Sequence, residues 1–140
     1  MKKRKTYHGP CPCGSFKAYE RCCQRWHEGE APGDAEALMR SRYAAYVLEL
    51  EDYLLASWHP STRPPSLSLE ASPRRWLGLK VLRHEPLSDG SALVEFVALY
   101  KAGGRMHELR ETSRFVREDG RWLYLDGVVR DGARSSPPPE

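Results

Sequence analysis

Four cysteines near the amino end of the chain have the residue type and spacing of a metal site. Cys11 and Cys13 are separated by one residue, and Cys22 and Cys23 follow as an adjacent pair. Four thiolates in a tetrahedron are a common structural ligand set for Zn²⁺. Gly14 permits the sharp backbone turn that a C-x-C pair needs around one ion. The pattern therefore predicts a zinc site made by these four side chains.

Other interpretations of the cluster stay open at this point. His27 could replace Cys23 as the fourth ligand, because adjacent side chains usually point apart, whereas His8 is more typical of a solvated residue. A relaxed disulfide cannot join the adjacent Cys22 and Cys23, and a reducing compartment opposes other pairings. Redox sensing, in which oxidation of the thiols releases zinc, is a further hypothesis.

A second set of residues with acid or base chemistry lies farther along the chain. Glu95 interrupts an otherwise apolar stretch, where a partly desolvated carboxylate could act as a general base. Glu111 and Asp126 lie in later strand-like stretches, and strand alternation would place Asp126 on the face of Tyr124. His59 could act as an acid or base near neutral pH. Each has a structural alternative, an ion pair with an arginine for the carboxylates and a helix-end contact for the histidine.

The first elements that would position these residues are helical. Asp34 can cap a helix, and apolar residues then recur every three or four positions until Pro60 stops the pattern. The dipeptide Ser72-Pro73 suits a helix start. It predicts a short helix that carries Trp76 and Leu77.

Four strand-like stretches separated by glycine-containing turns follow. They are Leu79–Leu87, Ala92–Lys101, Met106–Glu118 and Arg121–Val129. Short turns of this kind suit hairpins between antiparallel strands. Helices first and an antiparallel meander afterwards predict an α+β fold, with the helices packed on one face of a curved sheet.

Composition and charge restrict the class of protein. The chain has 140 residues, of which 40% are hydrophobic and 29% charged. We expect a zinc module over 1–30, an α+β domain over 31–130 and a disordered tail over 131–140. The basic start lacks an apolar signal region, so a cytoplasmic protein is expected. A net charge of +3 does not by itself indicate nucleic-acid binding, although the basic N-terminus keeps nucleic acid or a ribosome open as a partner.

Several of these motifs together resemble a known family. Cys-Pro-Cys-Gly-Ser at residues 11–15, followed by Tyr19 and Cys22-Cys23, resembles the SEC-C motif, a zinc module found at the end of SecA and in many small bacterial proteins. Other segments are similar to the YchJ-like family of uncharacterised bacterial proteins. These segments are Leu38–Tyr46, Tyr53–Leu55, Trp58–Pro60, Ser113–Phe115 and Gly120–Trp122. This chain has Phe16 where the SEC-C motif usually has glycine.

The resemblance implies a nuclear transport factor 2-like (cystatin-like) domain, a cone of helices against a bent antiparallel sheet. It also implies a protein or ribosome-associated partner, because the motif of SecA contacts partner proteins, and it makes a homodimer through the open sheet face an expectation. The first functional hypothesis is therefore a zinc-binding interaction protein. The alternative is a small-molecule enzyme, an isomerase, dehydratase or hydrolase, that uses an acidic pocket in the second domain.

Overall fold

The computed structural model describes residues 7–67, 69 and 74–129, and the backbone of residues 134–135. The predicted helix start at Ser72-Pro73 lies outside the described residues, as does the predicted tail apart from residues 134–135. The helices are a 3₁₀ turn at Tyr19–Arg21, α1 at Cys23–His27, α2 at Ala35–Leu48 and α3 at Glu51–Ala56. The strands are β1 at Arg75–Pro86, β2 at Ala92–Ala102, β3 at Arg105–Glu118, β4 at Arg121–Val129 and the two-residue β5 at Arg134–Ser135.

The helix α2 begins where the sequence predicts and ends in a left-handed residue. The Asp34 side chain accepts a hydrogen bond from the backbone N–H of Ala37 at 2.8 Å, which is the usual N-cap interaction. Glu49 has φ 59° and caps the end of α2 at Leu48, so that α3 begins after a two-residue break at Glu49 and Leu50.

The sheet is an antiparallel meander in the order β1-β2-β3-β4-β5. In strand β2, every second residue from Ala92 to Ala98 is buried, and the residues between them are half-buried. The buried residues lie on the face that the helices cover. These side chains pack with Leu38, Met39, Tyr43, Leu54, Trp58, Phe115 and Tyr124 in one core. The predicted α+β fold, with helices on one face of the sheet, is confirmed.

The predicted short helix around Trp76 is wrong, because β1 already begins at Arg75. Trp76 pairs with Tyr100 of β2, and its ring contacts those of Tyr43 and Tyr46 on α2. Leu77 is the extra residue of a β-bulge in β1. Long-range strand pairing and aromatic packing therefore override a local sequence that suits a helix start.

A second β-bulge corrects the predicted face of Asp126. Phe115 pairs with Tyr124, but Arg114 pairs with Asp126, so Leu125 is an extra residue in β4. Because cross-strand partners share a face, Asp126 lies on the outer face with Arg114 and not with Tyr124. The predicted face was wrong because it assumed that side chains alternate regularly along β4, whereas the bulge adds one residue.

Candidate functional site

The first cysteine pair lies in a tight loop. The backbone N–H of Gly14 donates to the Cys11 carbonyl at 3.3 Å, and that of Cys11 donates to the Lys17 carbonyl at 2.8 Å. Gly14 has φ 86°, a conformation that residues with a side chain rarely adopt. These contacts turn the chain so that the side chains of Cys11 and Cys13 are both buried.

The second pair is delivered by the 3₁₀ turn and the start of α1. Cys22 follows Tyr19–Arg21 and precedes the first residue of α1, Cys23. Its unusual backbone, with φ −132° and ψ −110°, joins the two short helical segments. All four thiols are buried and none forms a disulfide.

The four sulfur atoms have the separations that a tetrahedral metal ion requires. All lie within 4.8 Å of one another, with Cys13 and Cys22 at 3.6 Å and Cys22 and Cys23 at 4.0 Å. A zinc ion bound to four sulfurs at about 2.3 Å would separate them by about 3.8 Å. Both members of the adjacent pair therefore lie in the cluster, and the donor set could bind a metal ion.

Hydrogen bonds among these thiols shift their pKa values in opposite directions. Bonds from Cys11 and Cys23 lower the pKa of Cys13. The bond to Cys13 is the main reason that the pKa of Cys11 is raised to about 12, and bonds to Cys11 and Cys13 together with burial raise the pKa of Cys23. One thiolate thus suppresses ionisation of its neighbours, whereas a divalent cation would favour the thiolate form of each ligand.

His27 lies outside the sulfur cluster and joins two parts of the chain. Its Nε2 lies 2.9 Å from the Ser41 carbonyl oxygen, which can only accept, so Nε2 carries the hydrogen. Its Nδ1 then accepts from the Tyr19 hydroxyl at 2.6 Å. Both ring nitrogens are engaged in hydrogen bonds within the protein, so the structure brings Cys23 rather than His27 to the cluster.

Further contacts fix the cysteine loop to the α+β body. The guanidinium group of Arg40 donates to the Cys13 carbonyl at 2.9 Å. Ala44 of α2 is fully buried among the cysteines. Arg121 of β4 donates to the Gly29 carbonyl at 2.9 Å. The cysteine-containing segment is thus packed against α2.

A cavity of about 50 Å³ lies between α2 and the sheet. Half of the residues that line it are aromatic, namely Tyr43, Tyr46, Trp76, Phe96, Phe115 and Tyr124. Arg42, Glu111 and Ser113 supply its charged and hydroxyl groups. The α+β body therefore contains a small, mainly apolar cavity with a few polar groups in its lining.

Glu111 is the predicted carboxylate that lines this cavity. Its side chain is 4% exposed, and its Oε2 accepts hydrogen bonds from Ser113 Oγ at 2.8 Å and, at the longer distance of 3.5 Å, from the Tyr124 hydroxyl. A methyl group added at Gly127 would overlap this carboxylate. The interior glycine of β4 was the sequence signal for this close approach, and sequence reasoning did not use it.

The structure places the other acid and base candidates elsewhere. Glu95 lies on the outer face of the sheet in an ion pair with Arg110 at 3.0 Å. Asp126 forms an ion pair with Arg114 at 2.8 Å. Both carboxylates therefore form an ion pair with an arginine, which is the alternative to a catalytic role that the sequence left open.

His59 lies in a turn at the rim of the body. Its Nε2 is 2.7 Å from a carboxylate oxygen of Glu118, and its Nδ1 is 2.8 Å from Ser61 Oγ. The backbone N–H of Ser61 also donates to Nδ1 at 3.0 Å. Two donors from one residue on the same nitrogen are typical of a turn cap.

A family model described as the middle NTF2-like domain of YchJ matches residues 34–127. The chain belongs to the YchJ-like family. A UPF0225 protein from Bordetella bronchiseptica is 50% identical to this YchJ-like chain over 134 residues, which are 93% of this chain and 100% of that protein. A UPF0225 protein from Cupriavidus metallidurans is 55% identical over 135 residues, which are 91% of this chain and 94% of its own.

Two solved structures are similar to this YchJ-like chain. A SEC-C motif containing protein from Rhodopseudomonas palustris, solved in solution, has a TM-score of 0.76 and 32% identity, covering 85% of this chain and 97% of its own. A crystal structure of a SEC-C motif containing protein from Psychrobacter arcticus has a TM-score of 0.72 and 30% identity, covering 91% and 84%. The family and the combination of a SEC-C motif with an NTF2-like domain, both expected from the resemblance, are confirmed.

Within the part of the chain that the structure describes, no helix is both long and apolar enough to cross a membrane.

Proposed function

We propose that this YchJ-like protein is a zinc-stabilised interaction protein. In this proposal Cys11, Cys13, Cys22 and Cys23 bind one Zn²⁺, and the metal keeps the loop between the two cysteine pairs in a fixed conformation for a protein partner. The observation that supports the proposal most directly is the conformation and exposure of Phe16.

Phe16 combines two features that folding alone does not favour. Its side chain is 95% exposed, so folding gains almost no apolar burial from it. Its φ is 67°, in the left-handed region, which costs a residue with a side chain roughly 1–2 kcal/mol. Glycine, the usual residue here in the motif, avoids this cost. An exposed aromatic side chain on a rigid support is a common anchor in protein interfaces.

The cysteine cluster fixes both neighbours of Phe16. Ser15 Oγ lies 3.1 Å from Cys22 Sγ and accepts from the backbone N–H of Lys17 at 3.2 Å. The carbonyl of Lys17 accepts from the backbone N–H of Cys11. Metal binding would therefore determine the direction of the Phe16 side chain, and loss of the metal would release it.

The experiment is quantitative affinity capture from bacterial lysate, including isolated ribosomes as a defined probe. We compare wild-type protein, Phe16→Gly and wild-type protein treated with a zinc chelator. Both changes are expected to reduce the captured partner about tenfold, as for an interface anchor. Phe16→Gly should retain one zinc ion per chain.

Met106→Ala is the matched control, because Met106 is an exposed apolar residue, 61% exposed, on β3 outside the cysteine module. It should capture the partner as the wild type does. Equal capture by wild type, Phe16→Gly and the chelated protein would contradict the proposal.

An enzyme is the second candidate function, and one observation favours it. Glu111 lines an internal cavity, where a carboxylate could act as an acid or base. Glu95, Asp126 and His59 lie outside that cavity, so one of the four predicted acid or base candidates lines it. Turnover of a small molecule that is lost in Glu111→Gln and kept in Glu95→Gln would support this alternative.

A further inference from the structure

The cavity has walls made of aromatic rings at steep angles to one another. The rings of Tyr43 and Trp76 are 5.8 Å apart at 75°, and those of Phe115 and Tyr124 are 5.7 Å apart at 63°. Rings in this arrangement enclose a space instead of stacking on one another. Their faces carry negative electrostatic potential and attract cations.

Two of these rings already contact cations within the protein. The guanidinium carbon of Arg42 lies 4.5 Å from the centre of the Tyr124 ring. That of Arg74 lies 5.7 Å from the centre of the Trp76 ring. The aromatic groups around the cavity therefore occur in cation–π contacts, which supports the same chemistry for a bound molecule.

The buried carboxylate of Glu111 adds negative charge to this wall. The hydroxyl groups of Ser113 and Tyr124 donate to its Oε2. These neutral donors satisfy part of the hydrogen-bonding capacity of the carboxylate without adding a positive charge. The carboxylate occupies the space beside Gly127 that a side chain at that position would fill. A cationic group in the cavity would have both the carboxylate and the rings as partners.

Arg42 also lines the cavity, but its guanidinium group is bound at the end of α3. Its Nη1 donates to the Leu54 carbonyl at 2.8 Å and to Ser57 Oγ at 2.7 Å. The same group lies 4.8 Å from the centre of the Trp58 ring. The charge of Arg42 is thus shared between the end of α3, the Trp58 ring, which does not line the cavity, and the Tyr124 ring, which does.

The size of the cavity restricts the ligand to a small group. A volume of about 50 Å³ has room for roughly three to five groups the size of a water molecule. A methylated ammonium head has four or fewer carbon atoms around one nitrogen and fits this space. We propose that the cavity is a binding site for a small organic cation with such a head. This proposal does not depend on the cysteine module or on the proposed interaction function.

The test compares two probes of equal shape and different charge on the intact protein. Choline carries a trimethylammonium head, and 3,3-dimethylbutan-1-ol is its uncharged isostere. By titration followed with NMR, choline should bind with a dissociation constant at least about tenfold lower than that of the isostere. Its methyl protons should show nuclear Overhauser effects to the rings of Tyr46 and Trp76.

Variants identify the charged partner. In Glu111→Gln the dissociation constants of choline and of the isostere should become about equal. Glu95→Gln, the same change at the outer-face carboxylate, should keep the wild-type preference. Equal affinity of wild-type protein for both probes, no binding in the millimolar range, or absent ring contacts would overturn the proposal, and these outcomes do not require the Glu111 variant to fold.

Discussion

The two regions of this protein become ordered by different means. Among the described residues, the α+β body buries fifteen in one hydrophobic core that spans α2, α3 and the sheet. In the described part of the cysteine module, five side chains, four of them thiols, form a smaller apolar cluster around Ala44 of the body. Apolar burial stabilises the first region, whereas the second packs on α2 and, in the function proposed above, is also stabilised by a metal ion on its thiols. The proposal therefore divides the chain into a part that folds by burial and a part whose order follows the state of its cysteines.

The largest expected effect is the loss of zinc and of order in the cysteine module, but not in the body, when one thiol is removed. Cys13→Ser takes away a fully buried sulfur, and zinc content measured by mass spectrometry should fall from one ion per chain to nearly none. Since structural zinc contributes on the order of 10 kcal/mol to small modules, hydrogen exchange should become fast in the module while β2 and β3 stay protected.

Ser15→Ala is the control in the same loop, because it removes only a hydroxyl near Cys22. It should keep its zinc. Slow exchange in the module of Cys13→Ser would show that the module is ordered without the metal.

The next largest effect is expected on the stability of the α+β body. Leu54 is fully buried, so Leu54→Ala should lower the free energy of unfolding by about 2–5 kcal/mol in urea titrations. Zinc content of the folded protein should not change. Loss of zinc from this variant under folding conditions would mean that the two regions are not distinct in the way described.

A smaller effect is expected at the glycine beside the cavity. Gly127→Ala places a methyl group on the Glu111 carboxylate and should destabilise the body by about 1–3 kcal/mol. Gly33→Ala is the matched control, because no atom lies within 4 Å of the added methyl group. Calorimetry should find the control equal to or slightly more stable than the wild type.

The hydrogen bond between Tyr19 and His27, next to the link from His27 to the body, should show measurable coupling. A double-mutant cycle with Tyr19→Phe and His27→Gln tests this bond from the Tyr19 hydroxyl to His27, whose other ring nitrogen contacts the Ser41 carbonyl. We expect a coupling free energy of about 1 kcal/mol, because the two residues share one buried hydrogen bond. Additive effects in urea unfolding would contradict that coupling.

The smallest expected effect is a gain in stability, whereas the variants above lose stability. Phe16→Gly relieves a left-handed φ and should stabilise the module by about 0.5–1 kcal/mol after the larger unfolded-state entropy of glycine is included. Thermal unfolding with zinc present measures it. Asp119→Gly is the comparison, because Asp119 has φ 52° but aspartate tolerates this region better. A destabilised Phe16→Gly would show that Phe16 supports the fold.

The sequence predicted the larger elements and the residues of the cysteine cluster. The N-cap at Asp34, the four strands and the proximity of the cysteines follow from local patterns, namely a capping residue, glycine turns and a compact ligand spacing. The joint through His27 was not predictable, because a histidine four residues after a cysteine has the same local pattern whether it binds a metal or a distant carbonyl.

Features that depend on long-range pairing were missed. Trp76 follows a local helix signal, yet its partners are Tyr100 on β2 and two tyrosines on α2. The face of Asp126 depends on a bulge in β4, and a one-residue irregularity leaves no clear mark in the alternation of side chains. The burial of Glu111 depends on Ser113, Tyr124 and Gly127, which only the register of β3 and β4 brings together.

The extra residue Leu125 has a consequence for the evolution of the cavity. If Leu125 were accommodated without a bulge, it would face Arg114 and every later residue of β4 would shift by one position, so that Asp126 would point inwards beside Ser113 and Gly127 would point outwards. The interior would then contain two acidic groups with no glycine gap between them. Deletion of Leu125 would not have this effect, because Arg114 would still pair with Asp126 and Ser113 with Gly127. Evolution can therefore lose this one residue and keep a pocket with a single carboxylate, whereas a change that straightens β4 around it would create a carboxylate pair.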